Sequence, residues 1–151
     1  MDKIEEMLSS GGAVVLPTET VYGLFCKALD EQAVSHVYDL KGRPREKALN
    51  LNVSSLEEIY QFSKHQPQYL KKLYQAFLPG PLTIILQANE QVPIWVNSGM
   101  KTIGFRVPSH PKTLDLIRKF GPLIGPSANL SGKSSGVNFQ QIMIEFNHKV
   151  L

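Results

Sequence analysis

The sequence has little of what marks a secreted or membrane protein. It contains a single cysteine, Cys26, so no disulfide framework can form within the chain, and this usage is typical of a reducing compartment. No apolar run approaches the roughly 20 residues that a membrane-spanning helix needs. The first residues, MDKIEE, are too acidic and amphipathic for a secretory signal peptide. These features predict a soluble, cytoplasmic protein without a membrane partner.

Several catalytic motifs are missing as well. The chain contains no GxxxxGK[ST], GxGxxG or GxSxG pattern, which argues against a P-loop, a Rossmann nucleotide site and a serine-hydrolase elbow. Cys26 follows Phe25 in an apolar context and is predicted to be a small buried core residue, not a nucleophile. We expect no dedicated protein metal site, because no HExxH, CxxC or comparable spacing involves the four histidines, which are His36, His65, His110 and His148.

The net positive charge is concentrated in one short segment. Residues 41–47 (KGRPREK) hold four basic side chains and one acid, a local charge of 4 − 1 = +3. The whole chain has 16 Lys and Arg against 13 Asp and Glu, so the rest of the sequence sums to 12 − 12 = 0. Glycine and proline disfavour a regular helix here, and we expect the cations to lie on a shaped loop. The segment is either a solvated basic surface or an anion site, most plausibly for phosphates.

Helical and strand-like patterns alternate along the whole chain. With 151 residues, 42% of them hydrophobic, the chain is expected to form one domain over residues 1–151. The interleaving predicts an α/β fold, a twisted mixed sheet flanked by helices, because several connections are too short for crossover helices. The predicted strands are 13–16, 48–53, 82–86, 102–107 and 122–124. The predicted helices are 2–10, 31–40, one opening at the Ser55/Glu58 capping-box pattern, 70–77, one opening at 109–111, and 138–146.

Three polar loops adjoin predicted strands, at residues 17–24, 41–47 and 125–136. Hydroxyls and backbone amides in the third loop could hold phosphates or a carboxylate, and Arg106 on the polar side of a strand could grip a phosphate bidentately. Each signal alone has an ordinary explanation: turn chemistry, strand-end capping or a surface salt bridge. The residues themselves leave both interpretations open.

Taken together, five stretches resemble the YrdC/TsaC family. They are 17–24 (PTETVYGL), 41–44 (KGRP), 79–83 (PGPLT), 106–108 (RVP) and 126–132 (PSANLSG), and their order and spacing cover about residues 10–137. The resemblance implies the family's fold, a twisted α/β sheet with a concave, positively charged cavity. It also implies L-threonylcarbamoyladenylate synthase activity, the first step of the tRNA modification threonylcarbamoyladenosine.

The reaction implied by this resemblance uses ATP, L-threonine and bicarbonate and releases pyrophosphate. Threonine nitrogen and bicarbonate form a carbamate, whose oxygen attacks the α-phosphorus of ATP, so no protein nucleophile is required. ATP is a substrate, with Mg²⁺ held mainly by phosphates and water. The implied partners are downstream proteins that transfer the product to tRNA, and tRNA or double-stranded RNA is a further candidate.

The resemblance also implies roles for individual residues. Lys41 and Arg43 would act on the reacting phosphates, and the threonine end of the cavity would be formed by Thr20, Asn52 and the backbone of Gly125. Asn52 stands where relatives often carry histidine, and asparagine can hydrogen-bond but cannot act as a base near neutral pH. The ATP-side positions would be Arg43, Lys47, Thr102, Arg106, Ser127, Asn129 and Ser135.

One departure from the family pattern affects the expected site. Relatives normally continue for some tens of residues beyond the equivalent of Leu151, so this chain is expected to lack the usual C-terminal portion and to retain ATP weakly. Two alternatives stay open. The same basic cavity could bind double-stranded RNA or tRNA, although a net charge of +3 is modest for that task. A divergent carbamoyl-transfer homologue could share the fold.

Overall fold

The computed structural model describes residues 2–17, 22–42 and 49–125. Helices and strands interleave within these ranges. The elements are α1 (Lys3–Ser9), β1 (Val14–Pro17), β2 (Tyr22–Lys27), α2 (Glu31–Lys41), β3 (Leu51–Asn52), α3 (Leu56–Phe62), β4 (Ser63–Lys64), α4 (Leu70–Phe77), β5 (Gly80–Ala88), α5 (Ile94–Asn97), β6 (Thr102–Val107), α6 (Pro111–Phe120) and β7 (Leu123–Ile124).

The described strands form one seven-stranded sheet in the order β1-β2-β7-β3-β6-β5-β4. Among them β3 and β6 pair in parallel, and the other neighbours are antiparallel. The prediction of a mixed sheet flanked by helices is therefore confirmed. None of the helices in the described ranges has the length and apolar character that crossing a bilayer requires.

One face of the sheet carries the larger apolar core. Leu51, Phe105 and Ile84 point into it from β3, β6 and β5, and side chains of α2, α3 and α4 cover them. Cys26 belongs to this core and is fully buried, which confirms its predicted packing role. Burial, with a smaller contribution from the charge of Asp30, raises the pKa of the Cys26 thiol well above its usual range, so the group stays protonated at neutral pH.

The opposite face is covered by helices over only half of its width in the described part of the chain. A second apolar cluster joins Phe25 and Leu123 of the sheet to Leu8 of α1 and Leu116 of α6. This cluster is built from β1, β2 and β7 and does not extend to β3, β6 and β5 among the described residues. The part of this face formed by β3, β6 and β5 therefore lies outside the second apolar cluster in the described ranges.

Two predicted loops need correction. Residues 22–24, placed in a polar loop, begin β2, whose residues pair with β1 from Pro17↔Tyr22 onward. Lys41, expected on a loop, is the last residue of α2 and is 3% exposed. The helix continues through Lys41 because Gly42 ends it with a left-handed conformation (φ 63°), the usual role of a C-terminal glycine. A lysine in the last turn also complements the helix dipole.

Most other predicted elements are present in the described ranges. Ser55 caps α3 by accepting a hydrogen bond from the Glu58 amide at 3.3 Å, which confirms the predicted capping pattern. The Glu58 carboxylate accepts from the amide of Ser54 at 2.9 Å, one residue before the Ser55 amide that a standard capping box would use. Strand β4 and helix α5 had not been predicted. They contain two and four residues, too few for a periodic signal. The predicted helix at 138–146 lies outside the described residues.

Candidate functional site

Asn52 and Arg106 lie side by side on the half-open face of the sheet. Asn52 is paired with Arg106 of β6 on one side and with Leu123 of β7 on the other, and residues in register present their side chains to the same face. Asn52 is 6% exposed, and its Nδ2 donates to the Leu123 carbonyl at 3.3 Å. Arg106 is half-buried, and its carbonyl accepts from the Val53 amide at 2.9 Å. The sheet thus places an amide beside a guanidinium.

Strand β6 supplies the rest of this surface through its alternation. Thr102, Gly104 and Arg106 share the half-open face, while the residues between them enter the core. A Cβ atom at Gly104 would collide with the side-chain oxygen of Asn50 and come within 3.2 Å of Thr83. Glycine therefore lets Asn50 lie directly over β6. Asn50 was not among the predicted site residues, although the alternation of 48–53 put it on the same face as Asn52.

Gly125 is held at the opposite side of this surface by an aromatic ring. Cys26 pairs with Ile124, so Phe25 reaches the level of Gly125. A Cβ atom at Gly125 would collide with one side of the Phe25 ring, and a Cβ atom at Gly23 would meet the other side at 2.5 Å. Gly125 and the β1–β2 hairpin are consequently packed against a single side chain.

The described residues that border the three polar segments lie toward one end of the sheet. The hairpin that carries residues 18–21 closes at the Pro17↔Tyr22 pair. Residues 43–48 are followed by Leu49, two residues before the start of β3. Because β7 runs antiparallel to β3 with Leu123 opposite Asn52, Gly125 lies level with Asn50, at that same end. The strand register therefore favours the predicted grouping of these segments.

Some predicted site residues can be placed and others cannot. Asn52, Thr102, Arg106 and Gly125 occupy the half-open face or its margin, and Lys41 lies at the end of α2. The predicted residues that lie outside the described ranges are Thr20, Arg43, Lys47, Ser127, Asn129 and Ser135. The positively charged cavity stays a prediction, because most of its cations are in this second group.

The described residues can bind anions and polar groups without covalent chemistry. Arg106 offers a bidentate fork for a phosphate or carboxylate, and the neighbouring asparagines offer amide donors and acceptors. Thr102 presents an exposed side chain, and its carbonyl accepts from Asn97 Nδ2 at 3.0 Å. In residues 2–17, 22–42 and 49–125, His, Cys, Asp and Glu form no group of three or more that could hold a metal ion.

Comparison with protein families and curated proteins gives consistent matches. Residues 6–151 match the Sua5/YciO/YrdC family, whose description is telomere recombination. The threonylcarbamoyl-AMP synthase of Pyrococcus abyssi is 38% identical over 144 residues, which are 95% of this chain and 42% of that protein. The enzyme of the same name from Cellvibrio japonicus is 34% identical over 137 residues, 90% of this chain and 72% of the relative.

Solved structures agree with the sequence matches. The crystal structure of P. abyssi Sua5 complexed with L-threonine superposes with a TM-score of 0.91 at 37% identity, over 97% of this chain and 44% of that one. E. coli YciO superposes with a TM-score of 0.84 at 28% identity, over 98% and 73% of the two chains. The chain thus spans less than half the length of the P. abyssi protein.

Proposed function

The chain belongs to the Sua5/YciO/YrdC family, and on that basis we propose that it is a threonylcarbamoyl-AMP synthase. It would form threonylcarbamoyl-AMP and pyrophosphate from L-threonine, bicarbonate and ATP. The observation that carries the proposal is the similarity to P. abyssi Sua5, which has been crystallised with L-threonine and superposes over 97% of this chain. The product would pass to proteins that modify tRNA.

The proposed chemistry needs positioning and charge stabilisation from the protein. The threonine amine would attack bicarbonate, lose water and become a carbamate, and a carbamate oxygen would then displace pyrophosphate from the α-phosphorus of ATP. The protein's contribution would be to align the reactants and neutralise charge on the phosphates. Mg²⁺ would enter with the triphosphate, whose oxygens it prefers as ligands.

We assign roles to the described residues accordingly. Arg106 would bind phosphate oxygens from the sheet, with Thr102 two residues away on the same face. Asn52 and the Gly125 backbone would lie at the threonine end, where one Asn52 N–H is already bonded to β7. The basic end would be completed by Lys41, Arg43 and Lys47, and the hydroxyl-rich end by Thr20, Ser127, Asn129 and Ser135.

The direct test is pyrophosphate release from ATP and bicarbonate. The assay compares L-threonine, L-serine and no amino acid, and we expect release to be stimulated by threonine at least about tenfold over serine, because a missing methyl group is worth about 1–3 kcal/mol in a fitted apolar pocket. Absence of stimulation by threonine contradicts the proposal. Salt-sensitive RNA binding without pyrophosphate release would favour a polyanion-binding protein instead.

A pair of arginine variants tests the phosphate roles in the same assay. Arg43→Ala is expected to lower turnover by about 10²–10³-fold, the range seen when one charge-stabilising group is removed. Arg118→Ala is the matched control, since Arg118 is an exposed residue of α6 whose guanidinium bonds Asp115 of the same helix at 3.1 Å. Circular dichroism checks that both variants are folded. Equal rates in both variants would mean that Arg43 is only a surface residue.

A further inference from the structure

Among the described residues, strand β5 is paired along one side and largely unpaired along the other. Its inner side follows β6, with Ile84 opposite Phe105 and Leu86 opposite Ile103. On the outer side β4 pairs only with Gln87 and Ala88, although β5 contains nine residues. In the described part of the chain, the outer edge of β5 before Gln87 has no strand beside it. Such an edge can pair with an added strand.

A local backbone feature ends β4 at this point. If β4 continued in the register of Lys64↔Gln87, the chain would next pass beside Leu86 and Ile85. His65 instead adopts a left-handed conformation, with φ 53°, and Pro67 follows two residues later. The left-handed conformation of His65 is incompatible with a continuing β-ladder, and Pro67 has no N–H to donate to one. The chain therefore turns away just before it would cover Ile85.

The hydrogen-bond pattern shows which backbone groups this leaves on the edge. The Ala88 amide donates to the Lys101 carbonyl at 2.8 Å, so Ala88 is bonded toward the β6 side. In an antiparallel pair bonded and non-bonded positions alternate, which puts the bonds of Leu86 and Ile84 on the same side. The N–H and C=O of Ile85 must then point to the outer edge, where β4 has already ended.

A groove runs along this edge. Six consecutive residues, 82–87, line a cavity of about 460 Å³ together with Tyr69, Leu70 and Leu73 of the α4 region. Since alternate side chains of a strand face opposite sides of the sheet, a cavity that touches all six must follow the strand's edge. Ile85 is 68% exposed and Tyr69 is 63% exposed. An incoming strand would find apolar contacts on both sides of its backbone.

The charged residues near the groove indicate which kind of segment could bind there. The segments that line the groove, residues 65–73 and 82–87, contain Lys71 and Lys72 and no aspartate or glutamate, and Lys64 directly precedes the first of them. These three lysines are exposed, whereas Glu57, Glu58 and Glu90 belong to the flanking segments. A second copy of this edge would bring like charges together, which is the usual effect of lysines placed at sheet edges. An acidic strand would be attracted instead.

We propose that the outer edge of β5 is a docking site for an extended, acidic segment of another protein, which adds to the sheet beside Ile85. Its backbone would bond the N–H and C=O of Ile85, and its apolar side chains would pack against Leu73, Tyr69 and Ile85. Its acidic side chains would lie near Lys71 and Lys72. Ile85 lies opposite Gly104 and so adjoins the surface proposed for ATP. The docking test and the pyrophosphate assay are separate measurements, so a failure of docking would leave the synthase assignment untouched.

The probe is a ten-residue peptide that alternates valine and glutamate, with a valine–lysine peptide as its match. Binding is followed by two-dimensional NMR and by exchange of the Ile85 amide. We expect the glutamate peptide to bind at least about tenfold more tightly than the lysine peptide, and to lose affinity as salt screens the lysines. The Ile85 amide should exchange freely in the unbound chain and be protected by at least about tenfold in the complex.

Two variants separate backbone pairing from charge. Ile85→Pro removes the outward N–H while Ile85→Ala keeps it, so only the first should abolish binding of the glutamate peptide. Lys71→Glu with Lys72→Glu changes exposed side chains of α4 and should weaken the glutamate peptide at least tenfold even if the proline variant fails to fold. An Ile85 amide already protected in the free chain, or equal affinity for both peptides, would overturn the proposal. So would dimerisation of the chain through this edge.

Discussion

Cys26 illustrates how far the properties of a single residue follow from its neighbours. The sequence predicted a buried thiol because Cys26 lies in an apolar run, and the structure buries it completely. Asn50 was harder to foresee. Its position over the sheet depends on Gly104, a residue 54 positions away in the chain, and this contact exists only because β3 and β6 pair in one register. Periodicity shows which face a residue occupies, but not what lies across it.

The buried thiol has a consequence for pH dependence. Burial raises the folded-state pKa of Cys26, whereas the unfolded state ionises near the usual value of 9.0. Below that pH both states are protonated, and above it only the unfolded state loses its proton, so the free energy of unfolding should fall as pH rises above about 9. Denaturant titrations between pH 7 and 10.5 measure this.

Cys26→Ala is the control for that titration, because it should lose stability at neutral pH and show a smaller decline above pH 9. Thiol labelling gives an independent check: at pH 8 the native chain should react at least about 100-fold more slowly than the denatured chain, since only the thiolate is a nucleophile. Rapid labelling of the folded protein would contradict the assigned burial.

The elements that sequence reasoning identified best are those with a long periodic pattern or an explicit end signal. Helix α2 was predicted at 31–40 and occupies Glu31–Lys41. Strand β2 was not predicted, because its first residues, 22–24, were placed in the polar loop 17–24. The two-residue strand β4 is defined by its neighbour in the sheet and carries no periodicity of its own.

Helix α3 allows a test of how much a capping hydrogen bond at a helix N-terminus contributes to stability. Glu58→Ala removes the carboxylate that accepts from the Ser54 amide at 2.9 Å and is expected to destabilise the fold by about 1 kcal/mol. Glu57→Ala is the matched control, since Glu57 lies in the same turn but is exposed and should change stability by less than about 0.5 kcal/mol. Equal losses for the two variants in urea denaturation would show that the cap is energetically unimportant.

At the largest scale, the sheet has a packed side and, in the described ranges of the chain, a partly open side. The larger core is on the packed side, where α2, α3 and α4 cover the strands. The open side carries Asn52 and Arg106 next to the smaller cluster under α1 and α6. Sequence reasoning predicted the mixed sheet and placed Arg106 on the polar side of its strand. It could not predict the strand order, because order depends on pairings between distant segments.

Ligand binding should therefore stabilise the whole fold through the open side. At ligand concentrations about 100 times the dissociation constant, binding adds about 2.7 kcal/mol, which for a domain of this size corresponds to a rise in Tm of about 5–10 °C. We expect L-threonine with ATP to produce such a rise in a thermal denaturation scan, and L-serine with ATP a smaller one. Identical curves with and without threonine would speak against its binding to this chain.

The ring of Phe25, held between Gly23 and Gly125, makes the residues allowed at three positions depend on one another. A side chain at either glycine would displace the same ring, so the two substitutions should not have additive effects. A larger residue at position 23 or 125 becomes acceptable only after Phe25 has been replaced by a smaller side chain. The order in which these changes could accumulate over generations is therefore restricted, with position 25 changing first.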